Sequence, residues 1–234
     1  MLEKLKESVY KANIELVNQG LVIYTWGNVS GISEDRRFMV IKPSGIKYES
    51  MEADDMVVVE ISTGKVVEGR WNPSSDTPTH LELYRSFPEI GAVAHTHSTN
   101  AVAFAQAGRE IPVLGTTQAD YFWGNIPCTR ALEQIEIYNE YEKNTGIVIA
   151  ETINQLGYNP LDIPGILVRN HGPFTWGKSP EDAVYHAKVL EAVADMTLKT
   201  LMLNPSSQIS SHLVNKHYQR KNGVEAYYGQ GMVG

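Results

Sequence analysis

The chain has 234 residues, of which 42% are hydrophobic and 20% are charged, and its formal net charge at pH 7 is -7. This composition is typical of a folded globular protein rather than a disordered one, and the negative charge argues against nonspecific nucleic-acid binding, which relies on cationic contacts to phosphates. The single cysteine, Cys128, excludes an intrachain disulfide framework and a cysteine-based zinc module.

The predicted elements alternate helices with short strands. An amphipathic pattern over 1–19 predicts a helix that ends at Gly20. Strands are predicted at 21–24, 38–41, 56–59, 65–67, 92–94 and 165–168, with a hairpin turn at 62–64. Further helices are predicted at about 76–87, 98–107, 144–156, 179–203 and 209–222. No low-complexity linker interrupts this order, so we expect a single mixed α/β domain over 1–234.

No segment of the sequence indicates a membrane or export role. There is no apolar run of about 18 residues, the length that would predict a membrane-spanning helix. The N-terminal residues are charged and amphipathic and lack the apolar centre of a signal peptide. The sequence therefore predicts a cytoplasmic protein whose partners are small molecules.

The most specific feature is the pair His95 and His97, which one residue separates. Residues two apart on a β-strand project from the same face, and the apolar run 92–94 predicts a buried strand. Neutral imidazoles bind divalent metals well, and His171 would supply a third if its preceding strand, 165–168, lay beside the first. Three nitrogens would leave one coordination position open for substrate. The alternative is a set of partly buried histidines that only form hydrogen bonds.

Three loops carry groups that suit an anion. The turn 42–45 offers a hydroxyl and backbone N–H groups, and the predicted helix start at 73–77 offers two hydroxyls beside unpaired N–H groups. In the loop 26–28, Gly27 allows a ligand to approach the backbone closely, and the side-chain amide of Asn28 can donate a hydrogen bond to an oxyanion. Each loop also has an ordinary interpretation, as a turn or a helix N-cap. The candidate groups are Gly27, Asn28, Lys42, Ser44, Gly45, Ser74 and Ser75.

Candidates for proton transfer are Asp76, Asp120 and the pair Tyr227-Tyr228. In a closed metal site, burial would raise the pKa of Asp120 and the cation would lower it, which leaves a group able to exchange protons with a sugar hydroxyl. Alternatively, the aspartates cap turns and the tyrosines pack against a neighbouring surface.

Taken together, these segments resemble the class II aldolase family almost from end to end, and in particular its L-ribulose-5-phosphate 4-epimerase branch. The matching runs are Thr25-Trp-Gly-Asn-Val-Ser30, Ile41-Lys-Pro-Ser-Gly45, Pro73-Ser-Ser-Asp-Thr77, His95-Thr-His-Ser98, Ala119-Asp-Tyr-Phe122, Ile126-Pro-Cys-Thr-Arg130, His171-Gly-Pro-Phe174, Trp176-Gly-Lys178 and Ala226-Tyr-Tyr-Gly-Gln230. Asp120 and the C-terminal Tyr-Tyr-Gly-Gln resemble the epimerase branch specifically. Gln118 stands where familiar members are expected to have His, and glutamine can form hydrogen bonds but cannot titrate.

The resemblance implies a three-layer α/β/α fold with a central, mainly antiparallel sheet. It implies that His95, His97 and His171 bind zinc, for which manganese or cobalt could substitute, with Asp76 in or beside the coordination sphere. The phosphate would be held by the groups of the three loops, and Asp120 and Tyr228 would form an acid/base pair. The resemblance also implies a homotetramer in which the segment at about 209–234 completes a neighbouring subunit's site.

The implied reaction interconverts L-ribulose 5-phosphate and D-xylulose 5-phosphate by retro-aldol cleavage of the C3–C4 bond and re-addition. The substrate would be a ketopentose phosphate, in arabinose or in ascorbate catabolism. One alternative is a class II aldolase of the fuculose- or rhamnulose-phosphate type, which would release its aldehyde. The other is a non-catalytic protein that binds a metal or a sugar phosphate. Glu142, His217 and Arg220 stay open between a neighbour's site and surface packing.

Overall fold

A seven-stranded sheet lies at the centre of the computed structural model, which describes residues 2–224, 226 and 227. Its strands are β1 (Asn28–Ile32), β2 (Phe38–Ile41), β3 (Val57–Glu60), β4 (Val66–Glu68), β5 (Ala92–His95), β6 (Gly165–Leu167) and β7 (Pro173–Gly177). They are arranged in the order β4-β3-β2-β1-β5-β7-β6, and every neighbouring pair is antiparallel. The predicted antiparallel central sheet is therefore confirmed.

Helices cover both faces of this sheet. They are α1 (Glu3–Asn18), α2 (Thr77–Ser86), α3 (Thr99–Ala107), α4 (Thr116–Ala119), α5 (Gln134–Tyr138), α6 (Tyr141–Leu156), α7 (Pro180–Leu203) and α8 (Ser211–Asn222). Alternate residues of β2 show the two layers, because Met39 and Ile41 pack with α2 and α6 whereas Val40 packs with α1. Helix α7 joins α1 on that second face. This arrangement confirms the predicted α/β/α layers.

The sequence prediction placed one strand wrongly, at 21–24, and missed two strands, β1 and β7. The predicted strand at 21–24 is wrong, because Ile23 and Tyr24 are exposed and Tyr24 has a left-handed φ of 54°. The strand begins instead at Asn28, and β1 was missed because three of its five residues, Asn28, Ser30 and Gly31, are small or polar. A Cβ on Gly31 would lie 3.0 Å from side-chain atoms of Leu5 and Val9 in α1, which would have to shift to accept it. The close packing of α1 against β1 thus favours a glycine at this position of a central strand.

The longer helices begin and end within a few residues of the predicted positions, whereas the short helices α4 and α5 were not predicted. Helix α7 begins as expected, with the Ser179 side chain accepting a hydrogen bond from the backbone N–H of Asp182. No helix in the part of the chain that the structure describes is long and apolar enough to cross a membrane.

Candidate functional site

The three candidate histidines lie at one end of the central strands. His95 is the last residue of β5, His97 lies in the loop that follows, and His171 lies in the turn between β6 and β7. The strands β5 and β6 that precede these histidines are not neighbours, because β7 lies between them. Instead, the turn that leads into β7 carries His171 back over the end of β5.

Two glycines allow this close approach from opposite sides. A Cβ on Gly172 would lie 2.8 Å from the carbonyl oxygen of Thr96. A Cβ on Gly27 would lie 2.8 Å from the carbonyl oxygen of His95, and Gly27 also has a φ of +107°, which other residues rarely adopt. The backbone between the first two histidines is therefore enclosed by two positions where a side chain does not fit.

The spacing of the imidazole nitrogens fits a divalent ion. One ring nitrogen from each of His95, His97 and His171 lies within 4.8 Å of the others, and the Nε2 atoms of His95 and His97 are 3.1 Å apart. Two ligands of a tetrahedral zinc ion, each at about 2.0 to 2.1 Å, lie about 3.3 to 3.4 Å from each other. The triad is thus close to the geometry of three nitrogen ligands around one ion.

Neighbouring groups hold the ring of His95 in the orientation that a ligand needs. Its Nδ1 lies 3.0 Å from the carbonyl oxygen of Pro173, which can only accept, so Nδ1 carries the proton and Nε2 keeps its lone pair. Phe174 stacks on the same ring with 4.1 Å between the ring centroids. On the other side of the triad, the Tyr141 hydroxyl lies 3.5 Å from Nδ1 of His171.

The electrostatic environment keeps the triad ready for a cation. Burial and the neighbouring imidazoles lower the pKa of His97, and they lower the pKa of His171 to about 3. Burial opposes ionisation of Asp76, but the imidazoles of His95 and His80 and a hydrogen bond from Asn28 outweigh it and lower the pKa of that carboxyl. The imidazoles of His97 and His171 are therefore neutral at pH 7 and lie near an ionised carboxylate.

The triad opens into a cavity of about 620 Å³ that collects most of the predicted site. Every residue predicted to bind metal or phosphate lines this cavity. These residues are Gly27, Asn28, Lys42, Ser44, Gly45, Ser74, Ser75, Asp76, His95, His97 and His171. The three loops that are individually unspecific in the sequence thus line the same cavity as the histidines, and we call this part of the lining the anion wall.

Backbone hydrogen bonds join two of these loops. The N–H of Ser44 donates to the carbonyl oxygen of Asn72, and the N–H of Ser74 donates to that of Lys42, both over 2.9 Å. The third loop is attached by Asn28, whose Nδ2 donates to Oγ of Ser74 over 3.1 Å. The hydroxyls and N–H groups that the sequence suggested for an anion are therefore held together by the fold.

Lys42 gives this wall an uncompensated positive charge. Its side chain is buried, its ammonium lies 4.8 Å from the ring centroid of Tyr48, and its one hydrogen bond is to the carbonyl oxygen of Pro43. It has no ion pair with any described residue, and burial lowers its pKa to about 8. A bound anion would supply the missing negative charge.

Asp120 of the predicted acid/base pair lies against α8, outside this cavity. Asp120 does not line it and instead accepts hydrogen bonds from His217 and Arg220 of α8. Partial burial opposes ionisation, but these two donors outweigh it and lower the pKa of Asp120. Tyr228 lies outside the described residues. Asp120 therefore lies outside the cavity of its own chain, and its acid/base role stays a prediction.

Further residues line the cavity beside the predicted metal and phosphate groups. Tyr141 and Glu142, at the start of α6, line it beside His171, and Trp26 lies with its ring centroid 6.3 Å from that of His97. The structure thus places Glu142 at its own chain's cavity. Gln118, by contrast, is buried elsewhere and donates to the carbonyl oxygens of Ile111 and Gly124, which gives it a structural role in that loop.

Comparison with known proteins gives one family and one fold. A family model described as the class II aldolase and adducin N-terminal domain matches residues 7–198. The structure of an L-fuculose 1-phosphate aldolase is 22% identical in sequence and has a TM-score of 0.78. The match covers 93% of this chain and 95% of that chain. An L-fuculose-1-phosphate aldolase from Thermus thermophilus is 23% identical (TM-score 0.67; 88% and 100% covered). A sugar-phosphate aldolase from Thermotoga maritima is 19% identical (TM-score 0.68; 87% and 97% covered). At these identities the structural likeness concerns the fold alone.

Proposed function

The chain belongs to the class II aldolase and adducin family, and on this premise we propose that it is a divalent-metal enzyme of sugar-phosphate metabolism, specifically an L-ribulose-5-phosphate 4-epimerase. One observation carries the proposal: three convergent imidazoles and an uncompensated lysine lie in the same cavity. A cation site and an anion site in one cavity suit a substrate that has two adjacent oxygens to bind the cation at one end and a phosphate at the other.

The chemistry follows from the position of the carbon to be inverted. The hydrogen on C4 of a ketose phosphate is not adjacent to the carbonyl and has little acidity, so direct deprotonation is unfavourable. Removal of the C4 hydroxyl proton instead lets the C3–C4 bond break, with its electron pair moving into an enediolate of dihydroxyacetone. Zinc held by the histidines would supply Lewis-acid stabilisation of that negative charge, where manganese or cobalt could substitute.

The residues of the anion wall would keep the other product, glycolaldehyde phosphate, in place. The hydroxyls of Ser44, Ser74 and Ser75 would hold its phosphate together with the Lys42 ammonium. The aldehyde can then rotate about its anchored end and accept the enediolate carbon on its opposite face. The new C4 alkoxide takes up a proton, and the product is D-xylulose 5-phosphate. Anchoring is what makes the outcome an epimerisation.

The required proton transfers would come from Asp120 and Tyr228 of a neighbouring subunit in a homotetramer. In support, Asp120 is ionised, lies outside its own chain's cavity and is partly buried against α8, whose C-terminal continuation in the sequence leads to Tyr228. Family resemblance of the C-terminal Tyr-Tyr-Gly-Gln adds to this support. Both groups would then act across the subunit boundary.

A second candidate is a class II aldolase of the fuculose- or rhamnulose-phosphate type. It is favoured by the names of the similar structures, which are described as L-fuculose-1-phosphate aldolases. Such an enzyme would use the same cation and anion sites but release its aldehyde. A non-catalytic binding protein would share the sites and show no turnover.

Incubation of the zinc-loaded protein with L-ribulose 5-phosphate separates the three candidates. Epimerisation predicts D-xylulose 5-phosphate without accumulation of a three-carbon and a two-carbon product. Free glycolaldehyde phosphate formed in stoichiometric amounts would assign an aldolase instead. Binding of the sugar phosphate without any product would exclude the epimerase.

A further inference from the structure

Two buried polar atoms that lack a hydrogen-bond partner belong to Asn28 and His80, and both residues interact with the Asp76 carboxyl. Among the described residues, the fully buried side-chain atoms that lack a partner are Oδ1 of Asn28, Nε2 of His80 and Oε1 of Gln118. Asn28 already donates through its Nδ2 to Asp76, over 2.7 Å. His80 has no exposed surface, so its unpartnered nitrogen carries the full cost of burial. An unpaired atom at this depth calls for a functional explanation.

His80 lies directly behind the cavity. It is one helical turn after Asp76, and its backbone N–H donates to the carbonyl oxygen of Asp76 over 3.1 Å. Among the neighbouring charges, that of Asp76 acts most strongly on the imidazole. The ring also meets Phe174 edge-on at 6.1 Å, and Phe174 stacks on His95. His80 thus touches the layer that supports the triad without lining the cavity.

A short hydrogen-bonded chain determines what its Nε2 can do. Nδ1 of His80 lies 2.7 Å from Oγ of Ser30, and that oxygen lies 2.8 Å from the hydroxyl of Tyr84. If Tyr84 donates to Ser30 and Ser30 donates to Nδ1, then Nε2 carries the imidazole proton. In the reverse direction, Nε2 would present a lone pair in a region dominated by the Asp76 carboxylate, which is unfavourable.

We propose that His80 is a positioning residue whose Nε2–H is directed at the Asp76 carboxylate and holds it towards the metal ligands. Asn28 occupies Oδ2 of that carboxylate, and the Nε2–H of His80 serves the other oxygen when the site is loaded. Tyr84 and Ser30 fix the tautomer from behind. The inference rests on the proposed function only in taking the histidine triad to hold a divalent ion, and it does not depend on which sugar phosphate is converted.

The tautomer is tested in the wild-type protein without metal or substrate. Nitrogen-15 NMR of the imidazoles distinguishes a protonated ring nitrogen from one with a free lone pair, and the His80 signals are assigned by their loss in a His80→Gln sample. The proposal expects the proton on Nε2. A proton on Nδ1 would overturn it.

A matched pair of variants separates positioning from simple packing. The amide of Asn reaches the position of Nδ1, whereas the longer Gln reaches that of Nε2. We expect His80→Gln to keep the affinity for Zn²⁺ within about threefold, and His80→Asn to lose about 10- to 100-fold, which is the usual range for groups that support metal ligands. Glu34→Gln, at an exposed residue that does not line the cavity, serves as the control and should bind Zn²⁺ as the wild type does.

A role limited to supporting Ser30 predicts the reverse order, because Asn keeps that contact. Equal losses in the two His80 variants, no loss in either, or a larger loss in His80→Gln would therefore overturn the proposal. If the wild type fails to convert L-ribulose 5-phosphate, the epimerase assignment fails while the tautomer and the Zn²⁺ affinities still test His80. Should either variant not fold, the wild-type NMR measurement decides.

Discussion

Asn28 Nδ2 donates a hydrogen bond of 2.7 Å to Oδ2 of Asp76 and thereby joins the start of β1 to the start of α2. The same amide reaches Oγ of Ser74, so one side chain connects the metal side of the cavity with the anion side. Because the amide carries no charge, it can hold both groups at any working pH.

Replacing Asn28 with Ala should therefore impair both halves of the site. Loss of a hydrogen bond to a buried carboxylate costs about 1 to 3 kcal/mol, so we expect kcat/KM to fall by about tenfold or more. Steady-state kinetics with a parallel Zn²⁺ titration measures the effect. Asn18→Ala, which removes an exposed asparagine that bonds only to Glu15, is the control. Equal kinetics for the two variants would show that Asn28 does not organise the cavity.

Gly172→Ala should displace His171 from the other two histidines. The new methyl group would lie 2.8 Å from the carbonyl oxygen of Thr96, which is backbone and cannot move without shifting His95 or His97. We expect weaker Zn²⁺ binding with little change in circular dichroism. Gly115→Ala is the matched control, because a Cβ there meets no atom within 4 Å and its φ of -149° suits any residue. Unchanged Zn²⁺ affinity in Gly172→Ala would refute the proposed packing of the turn.

Substrate affinity should decrease with alkaline pH because of Lys42. Its pKa in the free protein is lowered to about 8 by burial, so the ammonium that would bind phosphate is lost as the pH rises through that value. Log kcat/KM should then fall with a limiting slope of about -1 above pH 8.

Lys42→Arg should remove this alkaline limb, because a guanidinium keeps its charge throughout the range. The exposed Lys47→Gln should retain it. A pH profile that is the same in the wild type and in Lys42→Arg would exclude Lys42 as the group that titrates.

Asp120 should act in a neighbouring subunit's cavity. Asp120→Asn and His97→Asn proteins should each be inactive, since each lacks one required group. Co-expressed tetramers that contain both should regain activity, because a cavity with intact histidines can receive Asp120 from the other kind of subunit. Activity of purified tetramers that contain both kinds of subunit would support a site that two subunits share. If mixed tetramers of verified composition stay inactive, Asp120 does not complement a neighbour.

Residues of the cavity could be predicted from the sequence where metal or phosphate binding requires a particular residue type. Imidazoles, hydroxyls and a glycine with positive φ have few substitutes, so the loops around Gly27, Ser44, Ser74 and His95 stood out and the fold brings them together. Asp120 could not be placed, because its position depends on how α8 packs against α4, and neither helix carries a motif for that contact. Strand β1 was missed because its burial depends on close packing by α1 rather than on its own apolar residues.

The central claim is that three imidazoles hold one divalent ion on which turnover depends, and titration of the metal-free protein with Co²⁺ tests it most directly. The ligand-field spectrum reports the coordination, and conversion of L-ribulose 5-phosphate is assayed at each step. We predict saturation at one ion per chain, a four- or five-coordinate spectrum, activity that rises in parallel, and the loss of both signals in His97→Asn. No saturable binding, or binding that His97→Asn leaves unchanged, would contradict the account.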